Sequence, residues 1–166
     1  LGFETLRACG VSRERARRAV THFKGVPGRL EKIAEKNKRT FYNDTTATTP
    51  EAATAALQAL LDKEIVIIMG GSDKGLDFSP FLRELERAQA CVLLPGTGSD
   101  RIIVESTEEV KRKIMLAPTM KDAVERAYTL SREGGVVLLS PGCASFGLFK
   151  NEFERGDEFV SAVHAL

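Results

Sequence analysis

The sequence predicts an α/β fold: an open, doubly wound, Rossmann-like sheet, mostly parallel, with helices on both faces. Three observations predict it. Glu64–Met69, Ala90–Leu94 and Gly135–Leu139 are short, nearly continuous apolar runs, the pattern of strands covered on both faces. Segments rich in helix formers separate them. Alternation of strand and helix means parallel strands joined by right-handed crossovers.

The elements follow in chain order. Residues 1–23 read as helical and basic, with Ser12 as an N-cap before Arg13-Glu14-Arg15-Ala16-Arg17-Arg18. The arginines can bind phosphates; spaced around the helix, they fit a solvated face better. Gly25-Val26-Pro27-Gly28 breaks the pattern. The expected organisation is therefore residues 1–24 as a helical piece, 25–28 as a hinge and 29–166 as a domain. Residues 29–34 and 39–43 read as two strands around a polar turn, Glu35-Lys36-Asn37-Lys38. Thr49 and Pro50 make an N-cap and first helical position for the helix that follows. Helices are expected at 79–87, with Pro80 in the first turn, at 120–133 and at 149–164. Residues 100–105 and 108–113 are ambiguous helical pieces, 115–117 is a short strand, and Gly96-Thr97-Gly98 reads as a turn.

The totals narrow the class. A chain of 166 residues with 43% hydrophobic and 28% charged residues fits a globular protein with one solid core. With 24 basic and 23 acidic residues the net charge is +1, so no bulk field draws it to nucleic acid or membrane. The longest apolar run, Ile65–Met69, is strand length. The 3 cysteines are odd in number and widely spaced, which suits reduced thiols in a cytoplasm. The first residue is Leu1 and the opening reads as helix under way, so a piece of a longer protein is expected.

Ligands of such sheets sit beyond the carboxyl ends of the strands. Those ends are Asn43-Asp44, Gly70-Gly71, Pro95-Gly96 and Ser140-Pro141. The first leads into Thr45-Thr46-Ala47-Thr48-Thr49-Pro50, where a carboxylate, several hydroxyls and free N–H groups meet a helix start. The second leads into Gly71-Ser72-Asp73-Lys74-Gly75, an ammonium on a glycine-rich turn that suits a carboxylate or phosphate. The fourth, Ser140-Pro141-Gly142-Cys143-Ala144-Ser145, offers another anion cradle. Neither G-x-x-x-x-G-K-[ST] nor G-x-G-x-x-G occurs, so the usual grip on a triphosphate is missing. Cys143 as a nucleophile is poorly supported, because the 2 histidines, His22 and His164, lie near the ends. The same shortage argues against a metal site. On residue type alone Phe78, Phe81, Phe146, Phe149 and Phe153 read as packing residues.

Taken in order, N-D-T-T-A-T-T-P-E-A, G-G-S-D-K-G-L-D-F-S-P and S-P-G-C-A-S-F-G-L-F-K-N-E-F-E-R-G-D resemble the C-terminal domain of the Mur ligase family, in its D-glutamate-adding branch. The resemblance runs from about Arg29 to the end, and residues 1–24 resemble the last helices of that family's central ATP-binding domain. It implies an ATP- and Mg2+-dependent ligase of peptidoglycan precursor synthesis that joins D-glutamate to UDP-MurNAc-L-alanine, cytoplasmic and monomeric. It implies no nucleic acid or membrane partner. ATP and Mg2+ would be held mainly by the central domain, so this chain alone is expected to be inactive. Lys74 and Thr48 match positions holding the side-chain carboxylate of D-glutamate. Ser145, with Phe146 beside it, matches the α-carboxylate side. Arg29 and Asp44 match positions facing the nucleotide phosphates and ribose.

Departures are visible as well. Gly28 stands where many relatives have His, Thr46 where many have Lys, and Glu152 where some have Phe. Two other readings remain: a stand-alone α/β anion-binding module, and a sibling ligase adding another amino acid. The diaminopimelate-adding sibling typically carries D-N-P-R, which this chain lacks. Each site residue also has a simpler role. Asp44 can be a turn residue, Lys74 a solvated loop lysine, Thr48 and Ser145 capping hydroxyls, and Arg29 a surface arginine beside the hinge.

Overall fold

A computed structural model describes residues 2–23 and 25–166. Leu1 and Lys24, the ends of the expected helical piece, lie outside the described residues. The helical stretch divides into α1 (Gly2–Ala8) and α2 (Arg13–His22), separated at Gly10. Ser12 caps α2 by accepting the Arg15 N–H at 3.3 Å. At the glycine-rich segment Arg29 N donates to Val26 O at 3.1 Å, closing a tight turn.

Beyond the turn come β1 (Glu31–Lys36) and β2 (Arg39–Asn43), an antiparallel hairpin. The connection is tighter than the four-residue turn expected. Asn37 and Lys38 alone form it, at φ 46° and 61°, the left-handed pair whose twist matches that of the strands. The succession continues α3 (Pro50–Ala59), β3 (Ile65–Gly70), α4 (Ser79–Leu85), β4 (Ala90–Leu94), α5 (Thr97–Glu105), α6 (Glu108–Lys113), β5 (Ile114–Leu116), α7 (Met120–Leu130), β6 (Val136–Leu139) and α8 (Glu152–Ala165). Gly96-Thr97-Gly98 is a turn only at Gly96; α5 starts at Thr97. The last helix starts three residues later than expected, because the Asn151 side chain accepts the N–H groups of Phe153 and Glu154 at 3.0 and 2.9 Å.

The six strands are ordered β1-β2-β6-β3-β4-β5, and every pair except β1–β2 is parallel. β3 shows why. All six of its residues are buried. Ile65, Ile67 and Met69 pack with Leu57, Phe81, Leu85 and Ile102 from α3, α4 and α5. Val66 and Ile68 turn the other way, toward Ala123, Val124 and Ala127 of α7 and Phe159 and Val163 of α8. Full burial of such a side chain contributes about 1.5–3 kcal/mol, so a strand with both faces apolar is stable only between two helical layers. The chain runs from β3 outward to β4 and β5, then returns through α7 to β6 on the other side of β3. The loop after β3 therefore leads to α4 on one face of the sheet and the loop after β6 to α8 on the other, and the strand order reverses between these neighbouring strands.

Close backbone approach at this edge of the sheet rests on two glycines. A Cβ at Gly71 (φ +131°) would lie 2.2 Å from Ala144 O, and one at Gly96 (φ +147°) 2.3 Å from Gly71 O. Both combine a left-handed-side φ with a backbone obstacle. Gly71→Ala should therefore lower the unfolding free energy by about 3 kcal/mol. Urea unfolding checks this; an unchanged midpoint would contradict the packing described.

Candidate functional site

The parallel strands bring the expected loops to one rim and bond them together. The Asp44 N–H continues the β2–β6 ladder to Leu139 O at 2.8 Å, and Gly142 N donates to Ala47 O at 2.9 Å. Ser72 and Ala144 exchange both backbone bonds, at 2.9 and 3.0 Å, so the loop after β3 lies against the loop after β6. Ser72 Oγ also donates to Phe146 O at 2.5 Å. At the start of α3 the Thr49 hydroxyl accepts the Ala52 N–H at 3.3 Å. Capping belongs to Thr49, which leaves Thr48 free of that role.

The Lys74 ammonium donates to Thr48 Oγ1 at 3.0 Å. Two residues 26 positions apart thus place a cation and a hydroxyl together above a helix start, where the dipole also favours an anion. Ser145 lies in the adjoining loop and is buried, at 4% exposure. Phe146 is 65% exposed beside it. The packing role expected for the aromatic residues holds for Phe78, Phe81 and Phe149 and fails for Phe146 and Phe153, the latter 63% exposed. Phe146 sits on the rim loop and Phe153 in the first turn of α8, where nothing in the sheet layers covers them.

Asp44 is buried, and both its oxygens are engaged: Oδ1 accepts the Leu30 N–H at 3.0 Å and Oδ2 the Ser140 hydroxyl at 2.8 Å. Burial pushes its carboxyl pKa up; the Ser140 hydroxyl, the Leu30 N–H and the Arg29 charge pull against that. Asp44 ties the start of the hairpin to the end of β6. Exposed Arg29 and Asp44 line a shallow cleft of about 270 Å³ with Thr46, Ala52 and Ala56. Two departures from the family pattern touch each other here: Thr46 donates to Gly28 O through its N–H at 3.1 Å and its hydroxyl at 2.8 Å. A larger groove of about 660 Å³ is lined by α2 residues alone, among them Arg13, Arg17, Arg18 and His22. These are exposed and Arg18 pairs with Glu14 at 2.6 Å, which is the solvated helix face.

The residue that sequence reasoning passed over is Arg155. It is 0% exposed, and its guanidinium donates to Thr45 O at 2.8 Å, Thr45 Oγ1 at 3.2 Å and Cys143 O at 3.1 Å. Burial pulls its pKa down to about 10, so it remains charged at neutral pH. Arg155 thus joins the loops after β2 and β6 to α8. A signal was present: Gly156 follows it inside a helix, and a Cβ there would fall 2.8 Å from Thr45 Cγ2, the mark of a helix docked closely on another segment. Cys143 is buried below the rim and its thiol is pushed up to about 12 by burial, which fits a packing residue and not a nucleophile. Among the described residues no group of three or more His, Cys, Asp and Glu is placed to hold a metal.

The description "Mur ligase, glutamate ligase domain" matches residues 28–143. The chain belongs to the Mur ligase family. It is 44% identical to the UDP-N-acetylmuramoylalanine--D-glutamate ligase of Roseiflexus sp. (strain RS-1) and 37% identical to that of Bacillus subtilis (strain 168), over 97% of its own length in each case. It spans 35% of each of those relatives, about a third of their length. Two Mur ligases of Thermotoga maritima share the fold: UDP-N-acetylmuramate-alanine ligase MurC, with a TM-score of 0.68 at 16% identity, and MurF in complex with ADP, with 0.67 at 18%. The match covers 98% and 97% of this chain and 36% and 35% of those.

In this Mur ligase chain Arg155→Met should cost about 3 kcal/mol, because the Thr45 and Cys143 carbonyls lose their buried donor. Arg155→Lys should recover less than half of that, since a compact ammonium lacks the planar fork. Urea midpoints measure both; a stable Arg155→Met protein would remove the tie from the account.

Proposed function

We propose that this chain is the D-glutamate-binding, ATP-site-closing C-terminal part of an ATP-dependent ligase that adds D-glutamate to UDP-MurNAc-L-alanine in peptidoglycan precursor synthesis. The observation that carries the reading is the Lys74–Thr48 contact of 3.0 Å at the rim, in a chain whose relatives over nearly its full length are D-glutamate ligases. A dicarboxylic amino acid needs two anion cradles. The Lys74 ammonium and Thr48 hydroxyl supply one, for the side-chain carboxylate. Ser145 and the N–H groups of its loop supply the other, for the α-carboxylate, with exposed Phe146 alongside. Arg29 and Asp44 face the nucleotide.

ATP would activate the UDP-MurNAc-L-alanine carboxylate as an acyl phosphate, which the D-glutamate amine then attacks. This chain holds both carboxylates so that the amine points away from the rim. Gly25–Gly28 is the hinge, residues 1–24 belong to the central domain, and 29–166 form the domain that moves. Closure brings the amine to the acyl phosphate and keeps water from it. The reaction is cytoplasmic on this reading, and among the described residues no helix is long and apolar enough to cross a membrane.

In the full-length enzyme Lys74→Ala should raise the KM for D-glutamate at least about tenfold, the loss of one charge-assisted hydrogen bond. An unchanged KM ends the role of Lys74. The 166-residue chain alone, lacking a phosphate loop, should not turn over ATP with D-glutamate; measured turnover would contradict the division of labour.

A further inference from the structure

Lys74 is preceded by an acid, and what that acid does decides whether Lys74 is available. The chain shows elsewhere that such neighbours can pair: in Asp62-Lys63 the lysine turns on its neighbour at 3.0 Å. In Asp73-Lys74 this does not happen. Arg101 of α5 reaches the Asp73 carboxylate instead, with Nη1 at 3.4 and 3.3 Å from its two oxygens. The guanidinium is itself held. Nη1 donates to Leu76 O at 2.8 Å, Nε to Glu105 Oε1 at 2.6 Å, and the group lies 5.1 Å above the centre of the Phe78 ring. Asp73 is turned toward it by two local bonds, its own N–H to Thr97 Oγ1 at 3.0 Å and Oδ1 accepting Gly75 N–H at 2.8 Å. The carboxylate faces α5, and the next side chain faces Thr48.

We propose that Arg101 is a positioning residue that sequesters the Asp73 carboxylate, so that the Lys74 ammonium stays on Thr48 with its charge uncancelled for the ligand. The inference rests on the D-glutamate reading only for the identity of that ligand. Arg101 need not touch the amino acid. Its work is charge partition: one cation claims the neighbouring acid so that a second remains free. An aspartate and the lysine that follows it can pair along the chain, as Asp62 and Lys63 do. Removing Arg101 would leave Asp73 with Lys74 as the adjacent ammonium, and a lysine neutralised in this way attracts an incoming carboxylate less.

The test separates charge partition from ordinary loop support. Arg101→Met keeps the aliphatic packing on Phe78 and removes the cation. Asp73→Asn keeps an oxygen for the Gly75 N–H and removes the anion. In the full-length enzyme Arg101→Met should raise the KM for D-glutamate about tenfold, with kcat within about twofold. Asp73→Asn alone should change little. Adding Asp73→Asn to Arg101→Met should bring the KM back to within about threefold of the parent, because the competing carboxylate is gone. No effect of Arg101→Met, or a raised KM that Asp73→Asn does not restore, overturns the proposal; the latter result leaves Arg101 a support of the loop. A crystal structure of the Arg101→Met chain reads the same question without any ligand. Lys74 within about 4 Å of the Asp73 carboxylate supports the proposal, and Lys74 still on Thr48 overturns it. If Lys74→Ala leaves the KM for D-glutamate unchanged, the ligand reading fails and that crystal structure decides the role of Arg101.

Discussion

Parallel pairing of strands that are apolar on both faces is the constraint from which the rest follows. A strand such as Ile65–Gly70, buried throughout, needs a helical layer on each side. Each connection between parallel strands must then cross back over the sheet, and all five parallel strands end at the same edge. Loops of different sequence and distant position are delivered to one rim whether or not their residues attract one another. The return of the chain to β6, beside β3, sets the loop after β6 against the loop after β3.

Delivery to an edge does not make a site. The loops become one surface through bonds that run between them. Ser72 and Ala144 join two of them through the backbone, and Arg155 joins the third from beneath through Thr45 and Cys143. A charged group with neutral partners is a costly choice for a buried tie. Its five donors in a fixed plane can reach carbonyls on two loops at once. Arg101 does related work at the surface, where it orders the turn carrying Lys74 and occupies that turn's acid. The cations near the rim thus differ in kind: a buried one binds the scaffold, a half-buried one pairs with a neighbouring acid, and an exposed one, Lys74, rests on the Thr48 hydroxyl.

Much of this was legible in the residues. The apolar runs predicted the strands, Thr49-Pro50 marked the helix start, and the strand ends named the rim. Thr48 and Lys74 were expected at one edge and are hydrogen-bonded there. Other features were not legible. The hairpin turn tightened onto Asn37-Lys38 because strand twist selects a left-handed pair, a preference that Lys38 hides. α8 starts only at Glu152 because the Asn151 side chain caps the N–H groups of Phe153 and Glu154. Phe146 and Phe153 looked like core residues since residue type carries no information about which side of a loop faces solvent. Asp44 was expected at the rim, but no local pattern reveals that its oxygens accept from partners 14 and 96 positions away.

What the chain's residues decided alone was therefore the local inventory: which stretches are strands, which are helices, and which chemical groups stand where one gives way to the other. That information is local because burial pattern and capping act over a few neighbours. Only the tertiary structure decided which groups are spent on the protein and which are left for a ligand. Arg155, Arg101 and Lys74 are all cations near one rim, yet burial and the nearest oxygen give them different tasks. Those partners come from segments far apart in sequence, and their proximity exists only once the sheet has closed around its core.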